Sequence, residues 1–379
     1  MASRRVIRLA LCGDVMTGRG IDQILPHPSP PTLHEPYVKS ARDYVALAED
    51  ANGPIERPVS FDYIWGDALA ELDRRQPDLR IVNLETAVTR SDRPAAKGIN
   101  YRMNPDNVPC LLAAGIDCCI LANNHVLDWG REGLVETLDV LRLAGLKSTG
   151  AGQDAETAAN PAALPVAGKR RVLVYAFACP SSGAPPDWAA TASRPGVNLL
   201  NEASQAAAAA IVARIARDRR PDDLVVVSIH WGPNWGYDVP PAERAFAHRL
   251  IEADVDVLHG HSSHHPKAVE LHRGKPILYG CGDFINDYEG IGKDTGYRDD
   301  LPLIYVLDFD AADRRLVGLE MVPFVIRRFR LSRADPADTA WLQAELDREC
   351  RRFGARVHRA ADGTLHLLAT ERGVAKAGP

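Results

Sequence analysis

Five short apolar runs along the chain each end directly in polar side chains. Each run has the length and composition of a buried strand, and the runs span residues 6–11, 79–84, 116–121, 224–229 and 255–258. Helical patterns such as those at 63–74 and 132–143 separate most of the runs, which indicates crossover connections between parallel strands. Parallel strands present their carboxyl ends at one edge of a sheet, so the polar residues that follow them should converge. The pattern therefore predicts an α/β protein with its chemistry at the strand ends.

The side chains that follow the five runs are two carboxylates, one amide and several imidazoles. In chain order they are Asp14, Glu85, Asn124 with His125, His230, and His261 with His264. Each has an ordinary structural explanation, since a lone Asp after a strand often caps a helix and a lone His beside an apolar run is usually a core residue. Those explanations would have to hold independently five times, which favours one shared metal site. A mixed oxygen and nitrogen set without Cys suits Mn, Fe, Zn or Mg, and we expect one or two such ions.

One of these clusters lies in the stretch 120–130, which holds Asn123, Asn124, His125 and Asp128. Neighbouring Asn and His side chains can offer a carbonyl oxygen and an imidazole to a metal or a phosphate. An Asx-turn with helix-capping side chains is the plain alternative, and the stretch by itself does not separate the two.

Composition narrows the class of protein. The chain has 379 residues, of which 46% are hydrophobic and 25% charged, and a formal net charge of −5. This charge is too small to indicate a nucleic-acid surface. The seven cysteines have no paired spacing except Cys118-Cys119, and most adjoin apolar runs, which favours a reducing compartment. Without a signal-peptide pattern or an apolar run of about 18 residues, we expect a cytoplasmic protein with no membrane span.

The remaining segments carry weaker signals. The segment from Pro26 to Pro58 is rich in proline and long for a loop, so we expect a functional loop or lid. Residues 203–216 predict an Ala-rich helix. We expect one catalytic domain over residues 1–330, with a Pro-rich insertion at 26–60, and a C-terminal helix and tail at 331–379.

Six motifs along roughly residues 6–325 together resemble a known family. They are Gly13-Asp14-Val15-Met16, Asn83-Leu84-Glu85, Ala122-Asn123-Asn124-His125, His230-Trp231-Gly232, Gly260-His261 with His264, and Tyr279-Gly280-Cys281-Gly282-Asp283-Phe284. They resemble the CapA family, named for capsule and poly-γ-glutamate biosynthesis, which is similar to the calcineurin-like metallophosphoesterases. The stretch 97–103 is typical of one CapA branch. The resemblance implies a four-layer αββα sandwich of two mixed sheets.

The resemblance also implies roles for single residues. Asp14 would bind a first metal, Glu85 would bridge two metals, and Asn124 and His230 would bind the second. His261 and His264 would complete the site from the last loop. His125 would be a catalytic residue that protonates the leaving group or stabilises the transition state, with Asp128 as its acidic partner.

This chain departs from the superfamily pattern in three places. Met16 stands where most members have a metal-binding His, the last two His ligands are three residues apart, and Asp128 is displaced from its usual position. Either His259 or His265 could supply a missing nitrogen. Asp283 could orient a ligand His. Lys97, Tyr101 and Arg102 form a cationic-aromatic cluster that could hold an anionic substrate or could be a solvated loop.

The function implied is a metal-dependent hydrolase in which activated water attacks a phosphoester or a similar bond. One alternative is a non-catalytic accessory subunit of poly-γ-glutamate or capsule biosynthesis that binds a polyanion. Another is metal-dependent amide-bond chemistry. The expected partner is an anionic small molecule or polymer.

Overall fold

Two mixed β-sheets packed face to face form the framework of the protein. The computed structural model describes residues 6–168, 170–291 and 296–369. Within these residues the strands are β1 (Val6–Val15), β2 (Leu79–Leu84), β3 (Ala87–Val88), β4 (Arg102–Met103), β5 (Cys118–Ile120), β6 (Lys147–Thr149), β7 (Ala151–Gly152), β8 (Ala162–Val166), β9 (Arg170–Ala178), β10 (Gly196–Val197), β11 (Leu224–His230), β12 (Val257–His261), β13 (Val269–His272), β14 (Lys275–Leu278), β15 (Asp283–Ile285), β16 (Leu303–Asp310), β17 (Leu316–Arg327), β18 (Arg330–Arg333), β19 (Ala355–Arg359) and β20 (Leu365–Ala369).

The helices lie mostly between these strands. Within the same residues they are α1 (Arg19–Ile24), α2 (Ala41–Asn52), α3 (Asp67–Arg75), α4 (Pro109–Ala113), α5 (Gly130–Leu143), α6 (Ala155–Ala159), α7 (Gln205–Asp218), α8 (Pro241–Glu252) and α9 (Pro336–Arg351). No helix in the described part of the chain is long and apolar enough to cross a membrane.

The larger sheet has the strand order β19-β20-β17-β16-β1-β2-β5-β6. Strands β1, β2, β5 and β6 run parallel, whereas β16 runs antiparallel to β1. At the carboxyl end of β1, the short strand β15 lies beside it in parallel. The smaller sheet has the order β13-β14-β12-β11-β9-β8, with parallel strands in its centre. The predicted strand ends are therefore divided between two sheets.

Side-chain alternation along β9 shows how the layers pack. Val172 and Val174 point into the core between the sheets, whereas Leu173 and Tyr175 point into a second core that β9 shares with α7 and α8. A strand that buries both faces must be covered on both sides. On the far side of the molecule, α3 and α5 contribute apolar residues to the core of the larger sheet. The predicted four-layer α/β sandwich of two mixed sheets is confirmed.

Two segments differ from the expectations drawn from sequence. The Pro-rich insertion contains the helix α2, which Ser40 caps by accepting a hydrogen bond from the Arg42 amide, so this segment is not a loop throughout. The helix expected near the C-terminus is α9, but the chain then adds β19 and β20 to the edge of the larger sheet. These five-residue strands were too short to stand out from a tail. The domain boundary near residue 330 stays a prediction. All seven cysteines are free and buried.

Candidate metal centre

Two carboxylates meet at the carboxyl ends of adjacent strands in the larger sheet. Asp14 lies on β1 and Glu85 follows β2, and both side chains are buried. The Asn83 amide lies between them, and its Nδ2 donates to Asp14 Oδ1 at 2.7 Å and to Glu85 Oε2 at 3.1 Å. Asn83 Oδ1 in turn accepts from Asn123 Nδ2 at 3.1 Å. One amide thus fixes the separation and orientation of both acids.

The smaller sheet directs two imidazoles at these acids. His230 ends β11 and His261 ends β12, at paired positions of the two strands. Their Nδ1 atoms are 2.8 Å apart, and His261 Nδ1 lies 3.7 Å from Asp14 Oδ1. His230 Nε2 lies 3.2 Å from Asn124 Oδ1 and 3.8 Å from Glu85 Oε1. The predicted convergence therefore takes place where two sheets face each other, and not along one edge.

A second group adjoins Asp14 from the other side. Strand β15 places Asp283 opposite Asp14, and the loop after β12 brings His264 Nδ1 to 2.9 Å from Asp283 Oδ1. Candidate ligand atoms of Asp14, His264 and Asp283 all lie within 4.8 Å of one another, as do those of Asp14, His230 and His261. The six predicted ligands are thus brought together, with Asp283 as a seventh candidate.

The charges of these groups favour divalent cations. Burial, reinforced by Asp283, raises the pKa of Asp14 to about 7, and burial with the nearby Asp14 raises the pKa of Glu85 well above its ordinary value. In the described chain, no Lys or Arg pairs with Asp14 or Glu85. Burial lowers the pKa of His230 and His261, so both imidazoles are neutral at pH 7 and each has one unprotonated ring nitrogen. Buried acids without a cation, beside neutral imidazoles, form a donor set that fits Mn, Fe, Zn or Mg.

His125 stands beside this donor set as part of a hydrogen-bonded dyad. Its Nδ1 lies 2.6 Å from Asp128 Oδ2, and its Nε2 lies 3.8 Å from Glu85 Oε1. Burial lowers the pKa of His125 to about 4, although Asp128 opposes the shift. Asn123 forms the turn below, because its Oδ1 accepts from the amides of His125 and Val126 at 3.0 Å. The stretch therefore forms an Asx-turn through Asn123 and also contributes to the candidate site, which Asn124 and His125 face.

The three predicted substrate-binding residues have different surroundings. Lys97 Nζ lies 2.9 Å from Asp128 Oδ1 and also donates to the backbone oxygen of Asn124. Tyr101 is buried, with its ring edge-on to His125 at a centroid distance of 4.4 Å. Arg102 donates to the backbone oxygen of Ser91 at 2.7 Å and to that of Pro30 at 3.2 Å. Lys97 and Tyr101 therefore line the dyad, whereas Arg102 holds loop backbone.

Two histidines that sequence left open as ligands are engaged elsewhere. His259 Nε2 lies 3.0 Å from the backbone oxygen of Cys12, and its Nδ1 lies 3.1 Å from Ser228 Oγ. His265 Nε2 accepts from the Gly236 amide at 3.2 Å. His261, at the end of β12, and His264, in the loop after it, are thus the two histidines that face the acids.

Sequence reasoning missed a buried cation behind the site. Arg19 is 3% exposed and pairs with Asp287 at 2.5 Å and with Glu35 of the Pro-rich insertion at 2.9 Å. Its guanidinium lies over the rings of Tyr44 at 3.9 Å and Tyr101 at 4.5 Å. Arg19 therefore links the insertion to the wall of the His125 dyad. Because its partners are distant in sequence and belong to no motif, no local signal could have revealed it.

These features define a two-sheet α/β protein with a candidate metal centre between the sheets. The family described as "Bacterial capsule synthesis protein PGA_cap" matches residues 8–288, and the chain belongs to this family. The predicted resemblance to CapA proteins is confirmed. The chain is 48% identical, over 96% of both sequences, to the "Probable polyglutamine synthesis accessory protein MT0602" of Mycobacterium tuberculosis.

More distant relatives share less of the chain. The "Capsule biosynthesis protein CapA" of Bacillus anthracis is 25% identical over 74% of this chain and 60% of the relative. Among solved structures, a phosphatase from Mycoplasma pneumoniae is similar over 89% of this chain and 98% of its own, with 12% identity and a TM-score of 0.46.

Proposed function

We propose that this protein is a metal-dependent hydrolase that acts on a phosphoester or a similar bond of an anionic substrate. The observation that carries the proposal is the meeting of buried carboxylates and neutral imidazoles from both sheets beside the His125–Asp128 dyad. A structural core would not gather acids that lack a cation partner, because burying them costs free energy.

The proposed ligands fall into two sets that share Glu85. Asp14 and His264 would hold the first ion with Glu85, and Asn124, His230 and His261 would hold the second. Bound divalent ions supply Lewis acidity, which stabilises charge on a phosphoryl oxygen and lowers the pKa of water. Asn83 keeps the two acids in place for this purpose, since it donates to both.

His125 is proposed to give a proton to the leaving group; because burial lowers the pKa of its imidazole to about 4, it would take up this proton only when the negative charge of a bound substrate raises that pKa. Asp128 accepts at Nδ1, which fixes the ring and leaves Nε2 turned toward Glu85. The Tyr101 amide donates to the same Asp128 oxygen at 2.6 Å, so the acid cannot rotate away from the ring. Lys97, whose side chain is 22% exposed, places a positive charge where an anionic substrate would enter.

Metal analysis and substrate assays together test the proposal. Wild-type protein purified without chelator should contain divalent metal and should hydrolyse at least one member of a phosphoester panel when Mn²⁺ is added. Glu85→Gln should lose most of the metal and at least about 100-fold of the activity while keeping the fold, whereas the exposed control Glu56→Gln should change neither. Full metal retention in Glu85→Gln refutes the bridging role.

The names of the relatives favour a second candidate function. The relative that is 48% identical is described as an accessory protein of polyglutamine synthesis, which raises a non-catalytic role in binding a polyanion. Calorimetric titration with poly-γ-glutamate separates the two functions. Tight binding of the polymer, together with no turnover of any phosphoester by metal-loaded protein, would favour the accessory role.

A further inference from the structure

We propose that Asp283 is a direct ligand of the first metal position and supplies the donor that Met16 does not. This inference rests on the proposed metal centre and deepens it. Without Asp283, the first ion would have only three protein ligands, which are Asp14, Glu85 and His264.

Met16 cannot serve as the fourth ligand. A thioether is a soft, neutral and weak ligand for hard divalent cations. Moreover, the Met16 side chain is fully buried, and its sulfur accepts a hydrogen bond from the Tyr288 hydroxyl at 3.4 Å. The Met16 sulfur thus already has a hydrogen-bond partner, the Tyr288 hydroxyl.

The backbone brings Asp283 to the place where a ligand is needed. Strand β15 runs parallel to β1 with Asp283 paired to Asp14, and the Asp14 amide donates to the Gly282 oxygen at 3.1 Å. The two strands approach so closely that a Cβ on Gly13 would lie 1.7 Å from that oxygen. No side chain separates the strands there, so the two carboxylates can reach one ion.

The charge of the site supports a ligand role over a purely orienting one. Asp283 is 1% exposed, and within the described residues it has no Lys or Arg partner. An Asp that only orients His264 would place a third buried carboxylate beside Asp14 and Glu85, and within the described residues the His264 imidazole at 2.9 Å is the one ionisable base paired with it. As a ligand, it shares the positive charge of the ion. Asn286 Nδ2 then holds its other oxygen, Oδ2, at 2.8 Å.

A cysteine substitution distinguishes a ligand from an orienting group. Asp283→Cys protein loaded with Co²⁺ should show a thiolate-to-cobalt charge-transfer band in the near ultraviolet, because that band requires a direct sulfur–metal bond. Wild-type protein gives the baseline for the seven native cysteines. Asp128→Cys is the matched control, since it places a thiol at a buried acid of the dyad, and it should show no band. Visible cobalt absorption without the band in Asp283→Cys overturns the proposal.

Asp283→Asn covers the case in which the cysteine variant takes up no cobalt. Loss of an orienting partner lowers metal affinity by about 10–100-fold, so loss of a ligand should weaken the poorer of two Mn²⁺ sites by more than about 100-fold. A smaller loss, measured by equilibrium dialysis, overturns the ligand role. A wild-type protein that binds no divalent ion would instead refute the metal centre itself, so the two failures are distinguishable.

Discussion

Replacing Gly13 by Ala tests the closeness of β1 and β15 on which the site depends. An added Cβ would meet the Gly282 oxygen at 1.7 Å, and that oxygen belongs to backbone that cannot rotate aside. Real Cβ contacts are essentially never under 3.0 Å. One strand must therefore move by more than an ångström, and the hydrogen bond from the Asp14 amide to Gly282 would be broken.

The size of the effect follows from these two losses. Overpacking of a tight core costs about 1–3 kcal/mol, and a lost buried hydrogen bond costs about 1 kcal/mol. We expect Gly13→Ala to lower the free energy of unfolding by about 2–4 kcal/mol, measured by urea denaturation followed by circular dichroism. It should also weaken metal binding, because the shift separates Asp14 from Asp283.

Gly98→Ala is the matched control, because a Cβ there meets no atom within 4 Å. It should change stability by less than about 0.5 kcal/mol. If Gly13→Ala were as stable as Gly98→Ala, β1 and β15 would not approach each other this closely, and Asp283 would not lie beside Asp14.

Three further predictions concern the proposed chemistry. His125→Ala should reduce turnover by about 10²–10⁴-fold on substrates with poor leaving groups, but less on p-nitrophenyl phosphate, whose leaving group needs no proton. Equal losses on both kinds of substrate would show a structural role. The substitution His358→Ala, at an exposed residue, is the control. Lys97→Met should raise KM for anionic substrates by about tenfold with metal content unchanged, because it removes a positive charge that contributes roughly 1–2 kcal/mol to substrate binding. An unchanged KM would exclude contact between Lys97 and the substrate. Divalent metal at 100 times its Kd should stabilise wild-type protein by about 2.7 kcal/mol, and a smaller increase in Tm is expected for Glu85→Gln; identical increases would place the ion elsewhere.

The strand ends could be predicted because apolar runs mark buried strands without any knowledge of their partners. Strand β2 has both predicted limits, Leu79 and Leu84, and β11 begins at the predicted Leu224. The polar residues after these runs were expected to meet because parallel strands share a direction, but their meeting also depends on two sheets facing each other, which the apolar runs do not reveal. Their geometry agrees with the prediction, and their roles as ligands stay proposals.

What sequence could not supply were contacts between distant segments without a periodic pattern. Strand β15 has three residues, too few for any alternation to be visible, yet it determines where Asp283 lies. Arg102 follows Tyr101, and a loop sequence does not tell which of two neighbours faces the site. The pairing of Arg19 with Asp287 spans 268 positions, and nothing near Arg19 in sequence indicates its partner.

The contact between His259 and the Cys12 backbone has an evolutionary consequence. It ties β12 to β1 within the core, and the Ser262 amide adds a bond to Asp14 Oδ2 at 3.1 Å, so the sheets are joined by protein groups alone. A gene duplicate with another residue in place of His230 or His264 would therefore keep these hydrogen bonds between the two sheets. Inheritance of the folded shell is thus separable from inheritance of the proposed metal chemistry, and a lineage could lose that chemistry while its scaffold passes intact to a new partner.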